Sequence, residues 1–347
     1  MPKKIRVIVV DDSQFIREMF KTILNSDPGI EVVATADDPL DAREKIKLHN
    51  PEVITLDVEM PKMDGIEFLQ KIMALRPMPV VMASTLTQKG ADITLHALEL
   101  GAVDCIGKPS DMYNGDHFAI ELIRKVKNAA TANIKAHSRQ TSGSIPATTR
   151  IPYTGDVTRQ LIAIGSSTGG VEALREVLTR LPANCPPIVI TQHMPAAFTK
   201  SFAERLNKIC ALTLQESTHG AVLMPGNAYI AFGGAHLLIA KQAGKYVCQH
   251  TDGDNVSGHK PSVDVLFDSV ATAAGDHAVG AILTGMGKDG AQGLLKMRQA
   301  GAFTLGESEA SCVVYGMPRA AFELGAVERQ CHLRDMASEI LKSCAQI

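Results

Sequence analysis

One rhythm runs through this chain twice and limits its fold more than any other feature: a short branched apolar run, a polar turn, then an amphipathic run with helical spacing. From residue 5 to about 125 the apolar runs RVIVV, IEVVATA, EVITLD, PVVMAS and VDCIGKP alternate with helical patterns such as SQFIREMFKTILN and GIEFLQKIMALR. Five such pairs predict a parallel, doubly wound sheet. In the first helix Phe15, Ile16, Met19, Phe20, Ile23 and Leu24 are spaced to share one apolar face, and Ser13 stands where a cap belongs. The rhythm returns in RQLIAIG, PPIVITQ, NAYIAFGG, HLLIAK, AVGAILTG and CVVYG, with hairpin or meander content expected around 221–250. Between the halves, residues 126–156 are rich in Ser, Thr, Ala, Pro and basic side chains without a period, as in a flexible tether. A chain of 347 residues therefore divides into an α/β domain over 1–125, a linker, and a second, mostly parallel, doubly wound α/β domain over 157–347.

Composition narrows the function. The net charge is -2 and the basic residues are scattered, which leaves no electrostatic footprint for nucleic acid or an anionic membrane. No apolar run approaches the roughly 18 residues that a membrane span needs, so a cytoplasmic protein without membrane insertion is expected. Seven cysteines with no C-x-x-C spacing suit reduced thiols better than disulfides or a zinc site. Cys312, inside SCVVYG, reads as a small buried hydrophobe rather than a nucleophile.

In the first half, polar residues stand where strands end: Asp11 and Asp12 after RVIVV, Asp57 closing EVITL, Ser84 after PVVMA and Lys108 after the fifth strand. With strand order 2-1-3-4-5 the first and third strands are neighbours, so three carboxylates meet at the switch point and need a counter-ion. Mg²⁺ is the expected one, held by carboxylate oxygens and water. Asp57 would then be a nucleophile toward a phosphoryl donor, with Lys108 pairing the arriving oxygens and Ser84 donating a hydroxyl. Singly these residues have ordinary roles as caps or solvated charges; their joint placement is what points to chemistry. VVDDS, ITLDVEMPKMDG, MASTLT and GKP resemble the receiver domain of two-component response regulators, a flavodoxin-like fold. The resemblance implies Mg²⁺ held by Asp11 or Asp12, Asp57 and the backbone carbonyl of Glu59, phosphorylation of Asp57 by a histidine kinase, and readout through Ser84. The family's usual aromatic switch residue is replaced here by Cys105.

In the second half, IAIG ends in GSSTGG, PPIVIT in QHMP and GAILT in GMGKDG, so three strands deliver polar turns to one edge of a parallel sheet. Gly165, Ser167 and Gly169 fit G-x-S-x-G, with Ser166 a rival nucleophile. His193 supplies a general base, and Asp289 either orients it or merely caps the helix that follows. The chain order Ser, His, Asp differs from that of α/β hydrolases and argues for a separate fold. Glycines 165, 169, 170, 285, 287 and 290 would let backbone N–H groups approach a reacting carbonyl.

LIAIGSSTGG, TQHMP, GHKPSVDVLF, ILTGMGKDG and SCVVYGMPRAAFELGAV are similar to the catalytic domain of bacterial chemotaxis protein-glutamate methylesterases. That resemblance implies attack by Ser167, since family members usually carry alanine at the place of Ser166, proton transfer by His193, orientation by Asp289, and oxyanion positioning near Thr168 and Met286. It implies no cofactor in this domain, and methyl-accepting chemotaxis receptors as substrates, through γ-methyl glutamyl esters and, in many members, glutamines. A switch domain tethered to an enzyme suggests that the unphosphorylated receiver obstructs the triad. The alternatives are a receiver-controlled hydrolase of a non-chemoreceptor ester, an ordinary α/β hydrolase using His332 as base, a DNA-binding regulator, for which no basic recognition helix is present, and a dinucleotide loop, in which Ser167 occupies a required glycine position.

Overall fold

The computed structural model describes the chain apart from residues 1–2, 61–63, 86, 109–114, 135–152, 154, 156, 158–159 and 347. It divides into two compact units, Met1–Ser142 and Gly143–Ile347.

In the first unit the strands β1 (Ile5–Val10), β2 (Ile30–Ala36), β3 (Val53–Asp57), β4 (Val80–Ser84) and β5 (Asp104–Gly107) form one sheet in the order β2-β1-β3-β4-β5. Every pairing is parallel. Parallel central strands are covered on both faces, and accordingly Val7, Ile8, Val53, Ile54 and Leu56 are buried without alternation. Between the strands run the helices α1 (Gln14–Ser26), α2 (Pro39–His49), α3 (Gly65–Leu75), α4 (Gln88–Glu99) and, last, α5 (Gly115–Ala130). Asp38 starts α2 by accepting from Leu40 N and Asp41 N, with Pro39 pre-set at the first helical position.

Two details of α1 depart from the sequence expectation. Phe20 and Leu24 are buried, but Phe15 is 64% exposed. At 3.6 residues per turn Phe15 lies about 140° around the helix from Phe20, outside the core-facing stripe. Ser13 occupies the cap position without a side-chain cap bond; its N–H instead donates to Asp11 Oδ1 at 3.0 Å.

The second unit holds a seven-stranded sheet in the order β14-β13-β12-β6-β7-β9-β8, parallel throughout. Its strands are β6 (Leu161–Ser166), β7 (Ile188–Gln192), β8 (Thr213–Glu216), β9 (Asn227–Ile230), β12 (Ala278–Ile282), β13 (Phe303–Glu307) and β14 (Arg329–Cys331). The expected hairpin is β10 (His236–Gln242) against β11 (Lys245–Thr251). The helices are α6 (Gly170–Leu178), α7 (Ala196–Ile209), α8 (Val263–Ala274), α9 (Ala291–Gln299), α10 (Met317–Glu323) and α11 (Leu333–Cys344). A core that includes Leu161, Ala163, Val189, Phe267, Ile282 and Leu294 packs α8 and α9 on the sheet.

The expected linker is not structureless at either end. α5 continues to Ala130, and Lys127 in its last turn pairs with Asp27 at 2.6 Å. Tyr153 is buried, its hydroxyl bonded to Gln160 and its carbonyl accepting from Asn184 Nδ2 at 2.9 Å. The intervening stretch 135–152 lies outside the described residues.

All seven cysteines are free thiols. Cys312 is buried, and desolvation pushes its thiol far up, which fits a packed side chain and not a thiolate nucleophile. Among the described residues no helix is long and apolar enough to cross a membrane.

Candidate active site

Strand order brings the second unit's polar turns together. β6 lies between β12 and β7, so the chain leaves the sheet at three adjacent strand ends. Winding proceeds from β6 toward β7 on one side and resumes at β12 on the other, which makes this the switch point where a ligand crevice opens. Ser166 pairs in register with Gln192, so Ser167 and His193 are the next residues out on neighbouring strands. His193 N donates to Ser166 O at 3.2 Å, and Ser167 N donates to Thr284 O at 3.0 Å, tying the nucleophile turn to both neighbours.

That turn is tight. Gly169 has φ +79°, and a Cβ there would lie 2.6 Å from Val313 Cβ. A Cβ on Gly285 would lie 2.8 Å from Ser167 Cβ and 2.3 Å from Met317 Sδ, so the backbone before Met286 can pass the serine only as glycine. The two serines differ in surroundings. Ser166 is fully buried and donates to Gln192 Oε1 at 2.6 Å, whereas Ser167 is 7% exposed. Gln192 also donates to Ser167 O at 2.9 Å, fixing the turn from below.

His193 Nε2 and Asp289 Oδ2 are 2.7 Å apart. The Asp289 carboxylate takes three further bonds: Ser262 Oγ donates to Oδ1 at 2.7 Å, Asp264 N to Oδ1 at 3.0 Å and Val263 N to Oδ2 at 2.8 Å. Ser262 is the N-cap of α8, so the carboxylate sits on that helix's positive end. It does not cap its own helix, whose N-cap is Gly290. Burial would raise the Asp289 pKa, but the bond and charge of His193, the Ser262 hydroxyl and the Val263 N–H outweigh it and bring it to about 2. An ionised carboxylate only accepts, so Nε2 carries the proton and Nδ1 offers the lone pair that can act as base.

His259 stacks on His193 with centroids 3.7 Å apart and planes 6° from parallel. The pair lies with Asp289 in a cluster of potential metal donors. Imidazole lone pairs lie in the ring plane, so two parallel rings cannot share one cation well, and the stack serves to hold the His193 ring flat. Of the oxyanion candidates, Thr168 is buried and its carbonyl accepts from Thr284 Oγ1 at 3.0 Å, while Met286 is half-buried. His332, the alternative base, caps α11 by accepting from Arg334 N at 3.3 Å, in the connection that follows β14 at the far edge of the sheet.

In the first unit Asp11, Asp12 and Asp57 offer carboxylate oxygens within 4.8 Å of one another. Lys108 reaches Asp11 Oδ2 at 2.7 Å and Asp57 Oδ1 at 2.8 Å. Burial, opposed by Lys108 and reinforced by the Asp11 charge, pushes the Asp57 carboxyl up to about 6. Three carboxylates against one ammonium leave negative charge uncompensated, a hard-oxygen donor set that fits a divalent cation such as Mg²⁺. Glu59 follows two residues on, its N–H 3.4 Å from Asp57 Oδ1. The Ser84 hydroxyl is not turned to Asp57; it donates to Thr85 O and Gly90 O, both at 3.3 Å. Cys105 is buried opposite Met82, its thiol pushed up to about 12 by desolvation.

Ser262, Gln192, His259 and Thr284 escaped the sequence reading. Gln192 adjoins His193, and His259 and Ser262 lie in the HKPS stretch, but nothing local reveals that this stretch folds onto Asp289.

Comparisons with known proteins agree with this fold. A family model described as CheB methylesterase matches residues 162–340, and one described as response regulator receiver domain matches residues 7–115. A Caulobacter vibrioides protein named protein-glutamate methylesterase/protein-glutamine glutaminase 1 is 59% identical over 97% of this chain and 97% of its own length. A Rhizobium etli protein of the same name without the numeral is 56% identical over 98% and 96%. The crystal structure of the Thermotoga maritima CheB methylesterase catalytic domain aligns with a TM-score of 0.52 at 36% identity, covering 55% of this chain and 98% of that one.

Proposed function

This chain belongs to the protein-glutamate methylesterase/protein-glutamine glutaminase family, a hydrolase joined to a response-regulator receiver, and we propose that Ser167, His193 and Asp289 carry its reaction while Asp57 governs it. The observation that carries this reading is the Asp289 carboxylate, which holds His193 Nε2–H at 2.7 Å on the strand beside Ser167.

His193 Nδ1 takes the Ser167 proton as Oγ attacks the γ-carbonyl of a methylated glutamate. Backbone N–H groups around Thr168 and Met286 receive the developing oxyanion in a cleft that glycine lets close tightly. The imidazolium returns its proton to departing methoxide, releasing methanol. Water then gives a proton to Nδ1 and attacks the acyl-enzyme, freeing glutamate and serine. With a pKa of about 2, Asp289 stays ionised throughout and stabilises the imidazolium without accepting its proton. Glutamine follows the same course with ammonia leaving. No cofactor is required for these steps.

The substrate is a methyl-accepting chemotaxis receptor and the phosphoryl source a histidine kinase, and this chain meets both from the cytoplasm. In the receiver, over 1–125, Asp11, Asp12, Asp57 and the Glu59 carbonyl would hold Mg²⁺, which when bound supplies charge neutralisation for an incoming phosphoryl group. Asp57 Oδ attacks the phosphorus of the kinase's phosphohistidine, the P–N bond breaks and the imidazole leaves, Lys108 pairs with the transferred oxygens, and Ser84 turns its hydroxyl to the acyl phosphate. This event raises the activity of the catalytic domain, 157–347, which the linker 126–156 joins to the receiver. Each methyl removed restores one negative charge on the receptor.

The test is methanol release from membranes bearing methylated receptors, with and without a small acyl-phosphate donor. Wild type should release methanol faster with donor, and Ser167→Ala should release none in either condition. Residual turnover in Ser167→Ala would remove the serine mechanism.

A further inference from the structure

One acid at the same sheet edge has no part in the triad. Glu307 closes β13, next to β12, and is completely buried. Its Oε2 accepts from Thr284 N at 2.8 Å. Thr284 is the residue on which the catalytic turns converge: its carbonyl accepts from Ser167 N at 3.0 Å, and its hydroxyl donates to Thr168 O at 3.0 Å. The same hydroxyl accepts from Val314 N at 2.9 Å. One residue on, Gly285 N donates to Val314 O at 3.1 Å, and Gly285 O accepts from Met317 N at 2.7 Å. Thr284 thus joins the Ser167–Thr168 turn, the approach to Met286 and the loop at Val314.

We propose that Glu307 is a positioning residue for this esterase, fixing the nucleophile turn and the approach to the oxyanion site by anchoring the backbone of Thr284. Its action runs through geometry. Thr284 and Glu307 are both buried, so loss of the acceptor orphans a buried donor and loosens the residue that ties the Thr168 turn to the segment leading to Met286. Burial pushes the Glu307 carboxyl up to about 7, opposed by Thr284 N–H, Ser311 and Cys312, so the acid is largely neutral only below that pH. A neutral carbonyl oxygen still accepts from Thr284 N, more weakly than a carboxylate would. The inference rests on Ser167 as nucleophile.

Two near-isosteric variants separate acceptor from volume. Glu307→Gln keeps a carbonyl oxygen for Thr284 N and should hold kcat for methanol release within about threefold of wild type, while Glu307→Met fills the space without an acceptor and should lose about tenfold or more, with KM for methylated receptor within about twofold. The rate at which an activated phosphonate labels Ser167 should fall in parallel in the Met variant alone. Full kcat in Glu307→Met, equal losses in both variants, or a loss carried by KM would each overturn the proposal. If Glu307→Met does not fold, Glu307→Leu poses the same question: it too lacks an acceptor for Thr284 N and should lose about tenfold or more in kcat, and full kcat in that variant overturns the proposal. Ser167→Ala in the same assay keeps the two readings apart, because an active Glu307→Met beside a dead Ser167→Ala defeats only the positioning role.

Discussion

Each unit buries an aspartate at the carboxyl edge of a parallel sheet, where the winding reverses, yet the two carboxylates end at opposite ends of the carboxylate range. Asp57 is pushed up to about 6, mainly by burial, and Asp289 is brought to about 2 in spite of it. Burial therefore does not decide the charge; the donors do. Asp57 shares one ammonium, Lys108, with Asp11, and the backbone N–H of Glu59 reaches it only at 3.4 Å. Asp289 receives four donors between 2.7 and 3.0 Å, two of them from the first turn of α8. The first arrangement stores unneutralised charge that an incoming cation can relieve. The second holds a constant anion against an imidazole. One suits a switch and the other a catalyst.

The largest effect should come from breaking the constant anion. In Asp289→Asn the three donors of α8 compete for one amide oxygen, so the NH₂ turns to His193, Nε2 becomes the acceptor and the proton moves to Nδ1, the wrong tautomer for a base. We expect kcat to fall by about 10³–10⁴ with a folded protein, measured as methanol release. A loss below tenfold would mean that the four-donor carboxylate is structural only.

Glu307 is a third buried acid, with neither the cation of Asp57 nor the donors of Asp289, and it tests the rule through stability. Its carboxyl is raised from the ordinary 4.5 to about 7, and the thiols beside it, those of Cys312 and of its own strand partner Cys331, are themselves pushed up and neutral. A raised acid contributes stability that is complete below pH 4.5 and is lost as pH rises through 7. The loss should be on the order of 3 kcal/mol. Urea unfolding between pH 5 and 8 should show this decline in wild type and a flatter profile in Glu307→Gln. An unchanged decline in the variant would assign it to another group.

On the switch side, Asp57→Asn removes the proposed nucleophile and one charge of the crowded cluster. The ratio of methanol release with and without acyl-phosphate donor should fall to one, from a wild-type ratio on the order of tenfold. A donor response persisting in Asp57→Asn would place the phosphoryl acceptor elsewhere.

Much of this contrast was readable from the sequence, because in parallel sheets the functional turns follow apolar runs directly: RVIVVDD, VITLD, IAIGSSTGG, VITQH and AILTGMGKD each announce a strand and what leaves it. The parallel sheet of the first unit follows from the same rhythm, and β10 and β11 pair in the 221–250 neighbourhood where hairpin or meander content is expected. What the sequence hid is set by tertiary approach. Ser262 reaches Asp289 across 27 residues, and Glu307 reaches Thr284 across 23. Asp289 looks like the cap of α9, yet it lies on the first turn of α8, a choice made by Gly290 turning to φ +88°. Phe15 reads as core by spacing alone and emerges exposed, because periodicity gives a face and not its edges.

The smallest effect is the finest test of the rule that donors set the charge. Ser262→Ala deletes one of the four bonds to Asp289 and leaves Val263 N, Asp264 N and His193 in place. The anion should persist, since three donors remain, but its pKa should move up from about 2 toward the ordinary 3.8. Asp289 contributes stability that is present above pH 3.8 and lost as pH falls through its folded value, so the acid limb of unfolding should shift to higher pH in the variant. Ser262 also accepts from Val265 N at 3.5 Å as the cap of α8, and its loss should cost about 1 kcal/mol at neutral pH. With the imidazole less firmly held, kcat should drop several-fold, and Ser262→Thr should restore it. A kcat loss in Ser262→Ala as deep as that of Asp289→Asn would show that the hydroxyl takes part in proton transfer, and the division between a fixed anion and its supports would no longer hold.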